Sequence, residues 1–262
     1  MTGFGQDGPM AQSAGHDINY IALAGVLHAI GRKGGPPVPP LNLLGDYAGG
    51  SLYLALGLLA GIIEARQSGK GQVVDAAIVD GTASLMTSTI GVHAAGLFSL
   101  ERGTNMLDSG AYFYDVYQCS DGKWVSVAAI EGRFHAELLR LLEIDPGAIG
   151  EQGNKANWPK ARELFAARFR TRTRDEWCAL LEGTDACFAP VLSLAEAPAH
   201  PHHATRGTFV TVGGIVQPAP APRFSRTVPA HPTPPEKPDP RAALAGWMTA
   251  AQIDALDEAG TI

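Results

Sequence analysis

Ile18, Ile21, Leu23, Val26, Leu27 and Ile30 spread over more than one face of a helix, so the segment behind His16-Asp17 is predicted to be a buried helix. A second apolar run, Tyr47 to Ile63, opens at Asp46, turns polar at Glu64-Ala65-Arg66-Gln67 and stops at Ser68-Gly69, a C-terminal signal. It falls just short of the roughly 20 residues of a spanning helix and carries Gly49, Gly50, Gly57 and Gly61, which permit close backbone packing. It is therefore read as a buried helix of a soluble protein, with no membrane span. A third helix is expected over 79–97, after a short strand candidate at Gln72–Ala76.

The period then changes. Tyr112–Cys119 and Trp124–Ala128 flank Asp121-Gly122, a hairpin signal. Helices are predicted over 133–142, 159–169 and 174–181, the last behind a Thr173…Glu176 capping box. Cys187–Val191 reads as a strand, and Phe209–Val212 with Ile215–Gln217 as a second hairpin around Gly213-Gly214. Met1–Pro9, Gly31–Pro40 and Glu101–Gly110 read as loops, Pro218–Pro240 as an extended Pro-rich surface segment, and Thr249–Ala259 as a short acidic helix. No internal repeat is present.

Composition narrows the class. The chain has 262 residues, 45% of them apolar and 18% charged, which is the balance of a folded protein with a sizeable core. A net charge of −6 gives no basic footprint for nucleic acid. Three cysteines without a C-x-x-C spacing point to a reducing compartment, with neither a disulfide framework nor a zinc site. Met1–Gly5 has no basic n-region or apolar stretch, and a cytoplasmic setting is expected.

Candidate chemistry sits where apolar helices begin. His16 and Asp17 head the first and Asp46 heads the second, and helix N-termini favour developing negative charge. On the residues alone, capping is the favoured account of His16-Asp17, and Asp46 reads equally as a first-turn acid. Glu131, just before a helix, reads alone as a solvated helix-start residue. Tyr20, Asn42 and Tyr114 either line a site or pack. His200, His202 and His203 suggest a metal, but Pro201 and their close spacing favour a loop.

Several segments together resemble the α-methylacyl-CoA racemases of the class III CoA-transferase superfamily. They are Thr2–Pro9, Ala14–Tyr20, Pro39–Asp46, Gly69–Ala76, Ala129-Ile130-Glu131 and Cys187–Val191. The resemblance implies an α/β fold in which a large Rossmann-like domain, 1–115 with 205–262, alternates with a smaller α+β domain, 116–204. It also implies an interlocked homodimer. Family members start well upstream of Thr2, so the chain reads as N-terminally truncated. The Rossmann-like domain is then partial, and most of the basic residues that grip the CoA phosphates are missing.

Inverting the α-carbon of a 2-methylacyl-CoA needs a proton removed from one face and returned on the other, through an enolate. By the resemblance, His16 and Asp46 are the two bases and Glu131 hydrogen-bonds His16 and fixes its tautomer. Backbone N–H near Asp17 receives the thioester oxygen. Asp17, Tyr20, Asn42 and Tyr114 are the expected substrate-binding residues. No metal or cofactor is expected, CoA being part of the substrate. Two alternatives stay open: a class III CoA-transferase with Asp46 as nucleophile, and an inactive truncated remnant.

Overall fold

The computed structural model describes residues 1–234 and 239–262. Two compact units divide the chain, Met1–Val191 and Leu192–Ile262.

The first unit begins helical. α1 (Asp17–Leu23) and the single turn α2 (Val26–Ala29) are joined by Gly25, whose φ of +83° makes the sharp bend between them. A π-helical stretch, Leu43–Ser51, runs directly into α3 (Leu52–Ser68), which ends at Gly69 in the left-handed conformation. Backbone packs closely along the π stretch. Gly49 lies against Thr82, where an added Cβ would sit 2.7 Å from the Thr82 nitrogen, and a Cβ on Gly81 would overlap the Gly49 carbonyl.

Three expectations are corrected in this region. The third helix is two helices, α4 (Ile78–Leu85) and α5 (Thr87–Ala94), broken at Met86 with ψ near 0°. Gln72–Ala76 forms no strand: Ala77, just beyond it, makes one parallel bridge with Thr2, and among the described residues no strand pairs with the rest. Val73 is accordingly 82% exposed.

The third correction concerns α3, which is not buried among the described residues. Leu52, Leu56, Leu59 and Ile63 share one face and are all more than half exposed, and Leu58 and Ile62 are also exposed. The stretch Leu43–Ser68 has the length and apolarity of a membrane-crossing helix. That is weak evidence alone, and the buried glycines at its head pack on α1 and α4 as in a soluble core.

From Ala111 the chain builds its main core. β1 (Tyr114–Gln118) pairs antiparallel with β2 (Trp124–Ala128), and β2 pairs antiparallel with β3 (Phe188–Val191). The Asp121-Gly122 turn closes the first hairpin, with Gly122 at φ +76°. α6 (Gly132–Leu141), α7 (Pro146–Ile149), α8 (Trp158–Phe169) and α9 (Arg174–Leu181) cover this sheet. Phe165, Phe169, Trp177, Tyr112 and Phe113 are fully buried in the core. The capping box holds as read: the Thr173 N–H donates to Glu176 at 2.8 Å, and the Glu176 N–H donates to Thr173 Oγ1 at 3.3 Å.

In the second unit α10 (Pro201–Arg206) replaces the expected loop. Pro201 sits at the first helical position, where its missing N–H costs nothing, and His200 caps the turn. Among the described residues no group of three ligating side chains is placed to hold a metal. β4 (Phe209–Val212) and β5 (Ile215–Pro218) form the expected hairpin. After α11 (Pro240–Leu244), α12 (Ala250–Glu258) closes the chain. Of the expected Pro-rich extension, Pro218 belongs to β5 and Pro240 opens α11; residues 219–234 carry no helix or strand, and 235–238 lie outside the described residues. All three cysteines are free.

Candidate active site

Two backbone turns meet at Asp17. His16 occupies the position before α1 in extended geometry, its N–H donating to Asn19 Oδ1 at 3.1 Å and its ring exposed. Asp17, the first residue of α1, is only 5% exposed. Its Oδ2 accepts the N–H of Gly45 at 2.7 Å and of Asp46 at 2.8 Å. The head of the π stretch is therefore docked on the head of α1, which brings the His16 and Asp46 backbones together across one side chain. Gly45 makes the approach possible, since a Cβ there would lie 2.5 Å from Asp17 Oδ2.

The Asp17 side chain is thus engaged within the chain, and its backbone N–H, the group expected to meet substrate, is left at the head of α1. Nothing in the residue type distinguishes a substrate contact from a clamp. The signal that was present is the glycine immediately before Asp46.

Asp46 is half-buried, and its Oδ2 accepts from Asn42 Nδ2 at 3.2 Å. Asn42 is thus a partner of the carboxylate. Tyr20 braces the other side. Its hydroxyl donates to the Gly15 carbonyl, one residue before His16, and its ring meets Phe4 edge-on at 4.8 Å. Burial raises the Tyr20 phenol above its ordinary pKa, and the Asp46 charge pushes it further in the same direction, so it stays a donor.

Glu131 has no hydrogen bond to either member of this pair among the described residues. It is the residue before α6, and its carbonyl accepts the His135 N–H at 2.9 Å. The backbone just ahead of it is held by Gln152, whose amide donates to the Ala129 and Ile130 carbonyls at 3.1 and 3.0 Å. Its carboxylate is exposed, and among the described residues nothing joins it to His16. Tyr114, on β1, is half-buried beside a cleft of about 600 Å³ whose other lining includes Ile30, Arg32, Val38, Leu107 and Asp115.

Sequence reasoning missed a buried ion network next to that cleft. Asp115 accepts from Arg32 at 2.6 Å, from Arg162, and from its neighbouring Val116 N–H at 2.7 Å. Arg162 also donates to the Ser109 and Gly110 carbonyls, each at 2.7 Å. Arg102 donates to the His28 and Gly35 carbonyls, both at 2.8 Å. Arg32 and Arg102 therefore pin the Gly31–Pro40 loop that delivers Asn42 and Asp46. The available signal was an acid, Asp115, set among aromatic residues in a strand.

Comparison with known proteins places the chain within a family. It belongs to CoA-transferase family III, whose family profile matches residues 1–243. It is 45% identical to the alpha-methylacyl-CoA racemase of Mus musculus over 89% of this chain and 61% of that protein. Identity to the Homo sapiens racemase is 44% over the same shares. A succinyl-CoA:glutarate CoA-transferase of Homo sapiens is 27% identical over 86% of this chain and 53% of that protein. The chain thus spans about three fifths of the length of the racemases it matches. In fold it is similar to a CAIB/BAIF family protein from Brucella suis, with a TM-score of 0.75, 23% identity, and coverage of 94% of this chain and 65% of that one. The expected α/β fold of class III CoA-transferases is the fold observed.

Proposed function

We propose that this chain carries the two-base site of a 2-methylacyl-CoA racemase. The observation that carries the reading is the Asp17 clamp, which sets His16 and Asp46 at adjoining helix heads. The 45% identity to a racemase supports it. In the reaction one base takes the proton from the α-carbon, the Cα–H electrons pass into an enolate, and the other base returns a proton to the opposite face. Each positioned base supplies on the order of 10²–10⁴-fold. The oxyanion is received at the head of α1, where the N–H groups of Asp17 and Ile18 have no acceptor among the described residues. Glu131 serves as the hydrogen-bond partner of His16 in the assembled enzyme.

A second copy of the chain is the proposed partner, covering the exposed apolar residues of α3. A dimer by sedimentation that Leu56→Glu dissociates is the expected result.

The test of function is deuterium incorporation at the α-carbon of (R)- and (S)-2-methylacyl-CoA in D₂O. Incorporation that His16→Ala and Asp46→Ala each diminish is expected. No incorporation by the folded chain would refute the reading. A covalent acyl or CoA adduct on Asp46, seen by mass, would replace it with the transferase.

A further inference from the structure

We infer that Asp17 is a positioning residue for Asp46 alone, working through hydrogen-bond geometry and not through its charge; this rests on the racemase reading above. Its side chain is walled in, so it does not reach the reacting atoms. One oxygen, Oδ2, takes both N–H groups that lead into and include Asp46. The other, Oδ1, is buried and has no hydrogen-bond partner among the described residues. A carboxylate retained for its charge would be expected to have both oxygens engaged, because a buried anion is costly unless fully hydrogen-bonded. Here one oxygen does the holding and the other only fills space.

The clamp also acts on one base and not the other. His16 is placed independently, by its own N–H on Asn19 and by the Tyr20 hydroxyl on Gly15. Releasing Asp17 therefore shifts Asp46 while leaving His16 where it is. A displacement of about 1 Å in a reacting group costs on the order of 10²-fold.

The experiment compares the parent chain with Asp17→Ala, Gly45→Ala and Asp17→Asn, reading α-proton exchange from each epimer separately. Amide hydrogen exchange at Gly45 and Asp46 is read alongside. Asp17→Ala and Gly45→Ala are expected to lower exchange from one epimer about tenfold or more beyond the other, and to deprotect both amides. Gly45→Ala reaches the same result by forcing the two groups apart from the opposite side. Asp17→Asn is expected to recover most of the loss, its carbonyl oxygen taking the Oδ2 place and its NH₂ the vacant Oδ1 place. Equal losses for both epimers in folded variants would overturn the positioning role, and an Asn variant no better than Ala would overturn the geometric account. If the parent chain exchanges neither epimer while both amides are protected, the activity falls, the positioning role falls with it, and the clamp is a fold element only.

Discussion

Asp115→Asn is expected to be among the more damaging polar substitutions in the first unit. The carboxylate is 3% exposed and holds Arg32, Arg162 and the Val116 N–H at once. Breaking a buried ion pair by removing one partner costs about 3–5 kcal/mol, because the remaining charge is left uncompensated. Two features lower that figure here. The Arg32 side chain is 54% exposed and can return to water. Arg162 keeps the Ser109 and Gly110 carbonyls as acceptors. The expected loss is about 2–3 kcal/mol, against less than about 1 kcal/mol for Arg32→Ala, whose charge sits nearer solvent. With a urea slope of about 3 kcal/mol per molar, Asp115→Asn should lower the unfolding midpoint by about 0.7–1 M. The shift should persist at 1 M NaCl, since buried pairs are screened far less than exposed ones. A midpoint change no larger than that of Arg32→Ala, or one that vanishes in salt, would refute the argument and make Asp115 an ordinary surface acid.

Two further changes test the packing. His135 is buried, with Nε2 2.8 Å from the Tyr112 hydroxyl, and burial lowers its pKa below the ordinary value. The unfolded chain then takes up a proton near pH 6.5 that the folded chain refuses, so stability should fall as pH drops below about 6.5. His135→Gln should flatten that slope in urea midpoints measured between pH 5 and 8. Gly81→Ala places a methyl on the Gly49 carbonyl and should cost about 3 kcal/mol in thermal unfolding, while Gly91→Ala, which meets nothing within 4 Å, should be neutral or slightly stabilising.

Local chemistry made much of this fold legible. The Asp121-Gly122 turn, the Thr173…Glu176 box and the Gly69 stop each act over a few residues, and each is found where the sequence places it. Failures came where a distant partner decides. Gln72–Ala76 has strand composition, but among the described residues its one backbone bridge is the Thr2–Ala77 pair just beyond it. The apolar run behind Asp46 shows that α3 is built to be surrounded, yet its pattern carries no information on what surrounds it. The π stretch carries Gly45 and Gly49, which press on Asp17 and Thr82, contacts across about 30 residues that no local period encodes. The helix-head placement of His16, Asp46 and Glu131 was readable. The inward turn of Asp17 was not, because a first-turn acid normally needs only the helix dipole to explain it.

That inward turn has a consequence for how charge is received. Asp17 occupies the N–H groups of Gly45 and Asp46, so the head of the π stretch has neither of them to offer an enolate. The head of α1 still has two, on Asp17 and Ile18. On the proposed racemase reading, proton transfer at Asp46 and oxyanion stabilisation fall to different helix heads and should be separable. Asp46→Asn removes a base, keeps the Asn42 contact available through its amide oxygen, and leaves the α1 donors untouched. It should lose α-proton exchange by about 10²-fold or more. Its affinity for a CoA thioester analogue with a planar, enolate-like α-carbon should change by less than about threefold, roughly 0.7 kcal/mol in calorimetric titration. A fall in affinity matching the fall in exchange would mean that the anion is received beside Asp46, and the assignment of the oxyanion to the head of α1 would fail.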